Sequence, residues 1–396
     1  MNPPSRPGVA IVSERSPSDR GGLAVSTLRI ARQAVARGED VHVLCWSKEA
    51  APGARRPRQR DGMTIHHIGK LERADDALMA LTHHTAEVVA ELQLSLVHGV
   101  YALAAGHAAV VAAAWCGVAS LVSIRGNDLD RGLFRASDLP LLQSAASRAT
   151  LVTAVTREAC HRAGRVFGRA VRYLPNSVDT GAFRPQTPDN SLVASLDLAD
   201  CAIIGFSGEL REKKGLRYLL PAFARLAQRR SARLLLLGGL RSDARPAWDA
   251  FVAAAPEAAD RIHVLEYQRS PKRLSNLLSL CDLLVFPSLY EGMPNAVMEA
   301  MAVARPVLAT QVGGHADLID HGATGALLPL SELDHLPEAM EELLDLPDEQ
   351  RRDLGAAARK RMIESFSPQQ ESDGYARAYA DARATNATRG QRDETS

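Results

Sequence analysis

The sequence has no excess of charge of either sign. Its 47 basic and 46 acidic residues leave a formal net charge of +1. A balanced chain has no long-range field that would attract nucleic acid or an anionic membrane. We therefore expect no nucleic-acid partner, and any phosphate binding must be local.

Cysteines and long apolar stretches are also scarce. The five cysteines are scattered and form no C-x-x-C pair, which favours small buried side chains in a reducing compartment. The longest apolar runs, such as Leu234 to Leu237, are strand-sized and far too short to cross a membrane. No signal-peptide pattern opens the sequence. These absences favour a cytoplasmic protein, and a position at the inner face of the membrane stays open.

Several catalytic and metal-binding patterns are missing. No G-x-G-x-x-G follows the first predicted strand, so the sequence lacks the fingerprint of a dehydrogenase. No G-x-S-x-G marks the nucleophile of a hydrolase. The pairs His66–His67 and His83–His84 are adjacent in sequence. Sequence neighbours do not share a face of a strand or helix, so we expect no metal ligation there.

The sequence does contain a repeated alternation of strands and helices. Val9 to Ser13 reads as a strand, Leu23 to Ala36 as a helix and Val41 to Trp46 as the next strand, which is a βαβ unit on a parallel sheet. The alternation stops at Leu174 to Pro185, a segment of turn residues, and restarts at Ala202. A chain of 396 residues also exceeds the size of one core. The predicted fold class is α/β, with two doubly wound Rossmann-like domains facing a cleft.

The segment E-G-M-P-N-A-V-M-E, Glu291 to Glu299, carries the sharpest chemical pattern. It follows a predicted strand and opens a predicted helix. Two carboxylates would lie near the helix start, where the amides of Asn295 and Ala296 attract phosphate or sugar oxygens. Carboxylates with free amides suit a polyol attached to phosphates. The alternative is that Glu291 caps the helix and Glu299 is a solvated surface residue.

This segment resembles the E-x7-E motif of glycosyltransferase family 4, whose members are retaining enzymes of the GT-B fold. Three further segments agree in order and spacing: Pro175 to Pro185, Phe206 to Gly215 and Gly313 to Pro329. They are similar to the interdomain segment, the phosphate-site loop and the G-G-x-x-E-x-I-x-x-G-x-x-G segment of the family.

The resemblance implies that the second domain binds the donor. Glu299 would bind the ribose hydroxyls, and Glu291 would contact the transferred sugar. The amides of Asn295 and Ala296 would touch the sugar and the diphosphate. Lys214 would neutralise the diphosphate as negative charge develops on the leaving group.

Glycine positions complete the implied donor site. Gly208 lies in the phosphate-site loop, and Gly21 and Gly22 match the glycine loop of the first domain. Glycine lets the backbone approach a diphosphate closely.

Two positions depart from the family pattern. Glu209 stands where the family has an arginine that pairs with the lysine. Arg211 or Lys213 are the candidate substitutes, and the alternative is that both are surface residues. Arg125 stands where a histidine is common. Arginine is always charged, so Arg125 would contact an anionic partner, either the diphosphate or the acceptor.

The neighbourhood of Arg125 also leaves alternatives open. We place Asp128 with Arg125 on the acceptor side. Alternatively, Arg125 pairs with Asp128 or Asp130 and only shapes the loop. Asp128 and Asp130 spell D-x-D, the metal signature of a different glycosyltransferase fold, but we expect neither a metal nor another cofactor.

We expect domains at 1–175 and 176–365 and, from its polar composition, a disordered tail at 385–396. The resemblance implies that 368–384 returns to the first domain. The expected activity is retaining transfer of a sugar, of the hexosyl class, from a nucleotide-diphosphate sugar to a glycan, a lipid-linked or a small-molecule acceptor. The rival hypotheses are a sugar-nucleotide epimerase or hydrolase of the same fold and a non-catalytic nucleotide-sugar binding protein. A basic loop predicted at Arg55 to Arg60 leaves a weak peripheral membrane contact open.

Overall fold

The computed structural model describes residues 7–19 and 21–393. The chain forms two compact units, one of Met1–Asn176 with Gln369–Ser396 and one of Ser177–Pro368. We call them the N-terminal and the C-terminal domain. The first boundary falls one residue after the predicted 175.

The N-terminal domain is built on one eight-stranded sheet in the order β3-β4-β2-β1-β5-β6-β7-β8. Its strands are β1 (Gly8–Ser13), β2 (Asp40–Pro52), β3 (Arg55–Arg60), β4 (Met63–Gly69), β5 (Leu96–Val100), β6 (Ala119–Ile124), β7 (Leu151–Ala154) and β8 (Arg172–Tyr173). Its helices are α1 (Gly22–Ala36), α2 (Ala74–Glu91), α3 (Ala104–Cys116), α4 (Asn127–Phe134), α5 (Leu139–Arg148), α6 (Arg157–Phe167) and the distant α16 (Pro368–Asp393).

Strand β1 shows why this sheet carries helices on both faces. All six of its residues are buried. Val9 and Ile11 pack in one cluster with residues of α1 and α16, whereas Ala10 and Val12 pack in another with residues of α2 and α3. Side chains of a strand alternate between faces, so an apolar strand of this kind needs cover on both.

The prediction of a basic loop at Arg55 to Arg60 is wrong. These residues form β3, which pairs antiparallel with β4 at the edge of the sheet. Their arginine and proline content is typical of a loop, but an edge strand tolerates both, because its outer side needs no partner strand.

The C-terminal domain has a six-stranded sheet in the order β11-β10-β9-β12-β13-β14, and all its pairs are parallel. The strands are β9 (Ala202–Ser207), β10 (Ala232–Leu237), β11 (Ile262–Leu265), β12 (Leu283–Phe286), β13 (Val307–Thr310) and β14 (Ala326–Leu328). The helices are α7 (Asn190–Ser195), α8 (Leu216–Arg229), α9 (Arg245–Ala254), α10 (Pro256–Ala259), α11 (Pro271–Leu280), α12 (Asn295–Ala302), α13 (His315–Leu318), α14 (Leu336–Asp345) and α15 (Asp348–Ser365), with short 3-10 turns at Glu212–Lys214 and Leu330–His335.

Helix α16 belongs to the N-terminal domain although it ends the chain. Tyr375 and Tyr379 are fully buried in the cluster under β1. The Glu371 carboxylate accepts hydrogen bonds from the guanidinium of Arg29 on α1, at 2.6 and 3.0 Å. The prediction of a disordered tail from 385 is wrong as far as Asp393, because the helix continues to that residue. Residues 394–396 lie outside the described part of the chain.

The helices of the described residues include no candidate for a membrane span. Within residues 7–19 and 21–393, none of the helices combines the length with the apolar character that a span requires.

Candidate functional site

The loop between β12 and α12 places Glu291 at the carboxyl end of the parallel sheet, where open α/β sheets bind ligands. Its side chain is only 9% exposed. Lys214 donates a hydrogen bond to Oε1 of Glu291, Ser288 Oγ donates to the same oxygen at 3.2 Å, and Lys213 Nζ lies 3.9 Å from Oε2. The structure therefore brings together two of the predicted catalytic residues, Glu291 and Lys214.

The Glu291 carboxylate is ionised in this environment. Burial alone would raise its pKa, but the ammonium groups of Lys214 and Lys213 outweigh burial and hold the pKa well below its usual range. The same burial lowers the pKa of Lys213, against the attraction of Glu291. A fixed carboxylate beside two cations can bind a ligand that carries both hydroxyls and phosphates.

Backbone hydrogen bonds fix this loop against two others. Leu289 N–H donates to the Lys213 carbonyl at 2.8 Å, and Gly314 N–H donates to the Gly292 carbonyl at 2.9 Å. Gly215, with φ +73°, leaves no room for a side chain, because a Cβ there would collide with the Pro287 carbonyl. The site is thus held by close backbone contacts that only glycine permits.

His315 is a residue of this site that the sequence reasoning did not single out. It is 1% exposed, and its Nδ1 donates to the Thr310 carbonyl at 2.7 Å, which leaves the lone pair on Nε2. Burial lowers its pKa to about 4, although the nearby Glu291 acts in the opposite direction. The G-G-H-A-D pattern does not indicate this role, because the proximity of His315 to Glu291 depends on the contact between the Gly314 and Gly292 loops.

Helix α12 begins directly after the Glu291 loop. Pro294 is its N-cap and provides no side-chain cap. Asn295 and Ala296 are its first two residues, so their amides lie at the positive end of the helix dipole. Glu299 lies one turn later and is partly exposed. The start of α12 and the Glu299 carboxylate thus follow the Glu291 loop in the predicted order. The binding of ribose by Glu299 stays a prediction.

The phosphate-site loop follows β9. Gly208 adopts φ +132°, a conformation that glycine accepts readily. Arg211 Nη2 lies 3.1 Å from a carboxylate oxygen of Glu209. Of the two candidate substitutes for the family arginine, Arg211 is thus already paired with the glutamate at that position, and Lys213 lies beside Glu291.

In the N-terminal domain, Gly21 and Gly22 lie at the start of α1. Gly21 has φ +110° and is the N-cap of the helix. A Cβ added at either glycine would meet nothing within 4 Å. The backbone here is accessible to a ligand, as the predicted glycine loop requires, and the binding itself stays a prediction.

Arg125 follows β6, and its guanidinium stays within its own domain. It donates to the Tyr375 hydroxyl at 3.2 Å and to Oδ1 of Asn176. The alternative that its side chain pairs with Asp128 or Asp130 is not what the structure has. Asp128 accepts from the Arg125 backbone amide, at 2.9 and 3.0 Å, and Asp130 pairs with Arg162 at 2.8 Å. A contact of Arg125 with an anionic ligand stays a prediction.

Asp128, which we placed on the acceptor side, lies beneath the surface, and its role towards the acceptor stays a prediction. Asp128 is 0% exposed, and its carboxylate accepts the amides of Ala102 and Arg125. Burial raises its pKa, and these hydrogen bonds oppose the rise. Asp128 therefore connects two loops. Its carboxylate, the first of the D-x-D pattern, is enclosed and already hydrogen-bonded, which disfavours it as a metal ligand.

One group of possible metal ligands occurs in the described part of the chain. His83, His84 and Glu87 on α2 bring ligand atoms within 4.8 Å of one another. Nδ1 of His84 already contacts Glu87 at 2.8 Å and its Nε2 contacts the Gly53 carbonyl at 2.9 Å. Both ring nitrogens of His84 are engaged, so a metal would have to displace one of these contacts.

Two family models match this chain. Residues 20–182 match the model described as Glycosyltransferase Family 4, and residues 201–346 match the model described as Glycosyl transferases group 1. The first covers most of the N-terminal domain and the second contains the Glu291–Lys214 pair.

Curated relatives carry transferase and synthase names. The alpha-maltose-1-phosphate synthase of Mycolicibacterium smegmatis is 31% identical over 50% of this chain and 53% of its own. The D-inositol 3-phosphate glycosyltransferase of Stackebrandtia nassauensis is 28% identical over 92% of this chain and 87% of its own. The chain spans about half the length of the first curated relatives it matches.

Solved structures share the fold across both domains. Sucrose-phosphate synthase from Thermosynechococcus elongatus has a TM-score of 0.82 at 21% identity and covers 96% of this chain and 100% of its own. The Anabaena protein HepE, in complex with UDP-glucose, has a TM-score of 0.78 at 16% identity, covering 94% and 99%. These similarities confirm the GT-B fold.

Proposed function

Because the chain belongs to glycosyltransferase family 4, we propose that it transfers a sugar from a nucleotide-diphosphate sugar to an acceptor hydroxyl. The observation that carries the proposal is the largely enclosed Glu291–Lys214 pair at the carboxyl end of the C-terminal sheet. The relative named as a D-inositol 3-phosphate glycosyltransferase and the neighbour solved with UDP-glucose support the same class of reaction.

The C-terminal domain binds the donor in this proposal. Glu299 accepts hydrogen bonds from the ribose hydroxyls, and the amides that open α12 face the sugar and the diphosphate. Glu291 contacts hydroxyls of the transferred sugar. This role of Glu291 is supported by Lys213 and Lys214, because the two lysines keep its carboxylate ionised.

The reaction proceeds with retention at the anomeric carbon. The bond from the anomeric carbon to the diphosphate oxygen breaks, and a bond to the acceptor oxygen forms on the same face. The acceptor proton passes to the leaving diphosphate. Lys214 stabilises the charge that develops there, so the protein contributes positioning and electrostatics.

No metal enters this mechanism, since side-chain cations neutralise the diphosphate. The acceptor is a glycan, a lipid-linked sugar or a small molecule, and its recognition falls to the N-terminal domain, where the glycine loop and Arg125 lie. A hexosyl donor and a cytoplasmic location complete the proposal.

A donor panel tests the function. Thermal shifts are measured with UDP-, GDP-, ADP- and dTDP-sugars, since a ligand bound only to the folded state raises the melting temperature. We expect one nucleotide class to stabilise the protein, and release of its diphosphate to require an acceptor, with and without EDTA. Turnover without acceptor would support the epimerase or hydrolase, and no stabilisation by any donor would contradict the proposal.

Glu299→Ala makes the donor assignment specific. Losing charge-assisted hydrogen bonds to the ribose should weaken binding of the selected donor by about 1.5–3 kcal/mol. The matched control is Glu257→Ala, which removes an exposed carboxylate on α10 of the same domain. Equal donor affinity in the two variants would contradict the ribose contact.

A further inference from the structure

Three charged side chains meet just beyond the ends of β9 and β10. Glu209 Oε2 lies 3.1 Å from Arg211 Nη2, and Glu209 Oε1 lies 3.5 Å from Arg241 Nη2. One carboxylate therefore holds two guanidinium groups, one from each loop. The side chain of Arg241 is 49% exposed, so a ligand can contact it directly from solvent.

The backbones that carry these side chains run side by side. Leu210 N–H donates to the Gly239 carbonyl, and Arg241 N–H donates to the Leu210 carbonyl, both at 3.1 Å. Gly238, with φ +150°, packs so closely on the Gly208 carbonyl that no side chain fits between them. The two loops thus extend the strand pairing, and the backbone brings the residues Arg241 and Glu209 next to each other.

The backbone that precedes Glu209 lies close to the Glu291–Lys214 pair. A Cβ built on Gly208 would lie 4.0 Å from Cε of Lys214, so the lysine stem passes directly beside the loop that carries Glu209. Together the two clusters hold four cations and two carboxylates. The net charge of +2 is opposite to that of a sugar-linked diphosphate, which carries two ionised oxygens.

We propose that Arg241 binds the donor diphosphate together with Lys214, and that Glu209 positions Arg241 and Arg211 for this contact. The inference rests on the proposed function. A planar guanidinium with several donors can contact the carboxylate and a phosphate oxygen at once. Glu209 therefore keeps the two arginines at the site before the ligand arrives, and its negative charge is offset within the cluster.

Calorimetry with Arg241→Gln tests the diphosphate contact. The probes are the nucleoside diphosphate of the class selected by the donor panel and the corresponding nucleoside without phosphate. We expect the variant to bind the diphosphate about tenfold more weakly or worse, the size of a lost charged hydrogen bond, and to bind the nucleoside as the wild type does. Equal diphosphate affinity in variant and wild type overturns the inference.

The matched control is Arg229→Gln, which also removes an ion-paired arginine from the C-terminal domain, paired with Glu341 at 2.8 Å. Arg229 ends α8, about 20 Å along the helix from the end near Lys214. We expect wild-type affinity for both probes. If the control loses diphosphate affinity to the same extent, the effect is one of overall charge and the inference is wrong. If the wild type binds none of the four nucleotide classes, the proposed function fails instead.

Glu209→Gln tests the positioning role. If Glu209 holds Arg241 in place, Arg241→Gln should weaken diphosphate binding less in the Glu209→Gln background than in the wild type, because the arginine is no longer fixed. If the effects are additive and Glu209→Gln alone tightens binding, Glu209 is only a repelling charge, which overturns its positioning role.

Discussion

At the scale of single residues, the candidate site depends on a carboxylate that stays charged although it is nearly buried. Glu291 is surrounded by cations from the loop after β9, and Lys214 Nζ donates directly to it. Removing one member of such a pair leaves the other in an unfavourable environment. A substitution of Glu291 or Lys214 therefore also disturbs the partner residue.

We predict that Lys214→Ala lowers kcat more than it weakens donor binding. The leaving diphosphate gains charge toward the transition state, so a cation beside it matters most there. Loss of one such electrostatic contact should reduce kcat by about 100-fold. Steady-state kinetics and calorimetry on the same variant separate the two effects.

Lys360→Ala is the control for this variant, because it removes an exposed lysine paired with Glu364 at 3.9 Å on α15. It should retain wild-type kinetics. Wild-type turnover by Lys214→Ala would show that this lysine does not stabilise the leaving group.

Single residues also show what the sequence could predict. Glu291, Lys214 and Glu299 lie in motifs, so their positions followed from resemblance. The direct contact between Glu291 and Lys214, 77 residues apart in sequence, and the burial of His315 did not. The burial of Asp128 could not be predicted either, because the D-x-D pattern does not reveal that neighbouring amides enclose the carboxylate.

At the scale of elements, loops after parallel strands build the site, and glycines let them touch. Gly215, between the 3-10 turn and α8, packs on the Pro287 carbonyl. The sequence indicated such loops well, because they follow apolar strands. It failed at β3, since an arginine-rich edge strand and a loop have the same composition.

We predict that Gly215→Ala disrupts the site more than backbone strain alone would. The Cβ would collide with the Pro287 carbonyl, so the loop that carries Glu291 must move, and donor binding should fall at least tenfold. Gly322→Ala is the matched control, because Gly322 has φ +78°, close to the +73° of Gly215, but open space around its Cβ. Calorimetry with the selected donor compares them, and equal donor affinity in both variants would contradict the proposed loop packing.

At the scale of the whole molecule, the chain returns to its first domain at the end. The resemblance predicted the return of α16, but the contacts that fix it come from tertiary structure. Glu371 accepts hydrogen bonds from Arg29 and Gln33 on α1, and Tyr379 contacts Nδ1 of His98 on β5 at 2.8 Å. No periodicity in the sequence identifies such partners, because they lie hundreds of residues apart.

Buried histidines in both domains make the whole molecule sensitive to acid. Burial lowers the pKa of His66 and His98 in the N-terminal domain to about 4 and about 3, and that of His315 in the C-terminal domain to about 4. At His98 the positive charge of Arg125 adds to the effect. The folded state thus keeps these rings neutral, whereas the unfolded chain protonates them near pH 6.5.

We predict that the free energy of unfolding falls as the pH decreases from 6.5 towards 4. Each such histidine has a folded-state pKa below its unfolded value, so its contribution is complete above pH 6.5 and is lost as the unfolded state takes up protons. Each should add a slope of about 1.4 kcal/mol per pH unit. Urea unfolding followed between pH 7.5 and 5 measures the slope.

The His98→Gln variant should reduce this slope for the N-terminal domain. The control is His161→Gln, because His161 is exposed on α6. Equal slopes in the wild type and His98→Gln would contradict a buried neutral His98, because a ring that titrates alike in both states cannot link folding to pH.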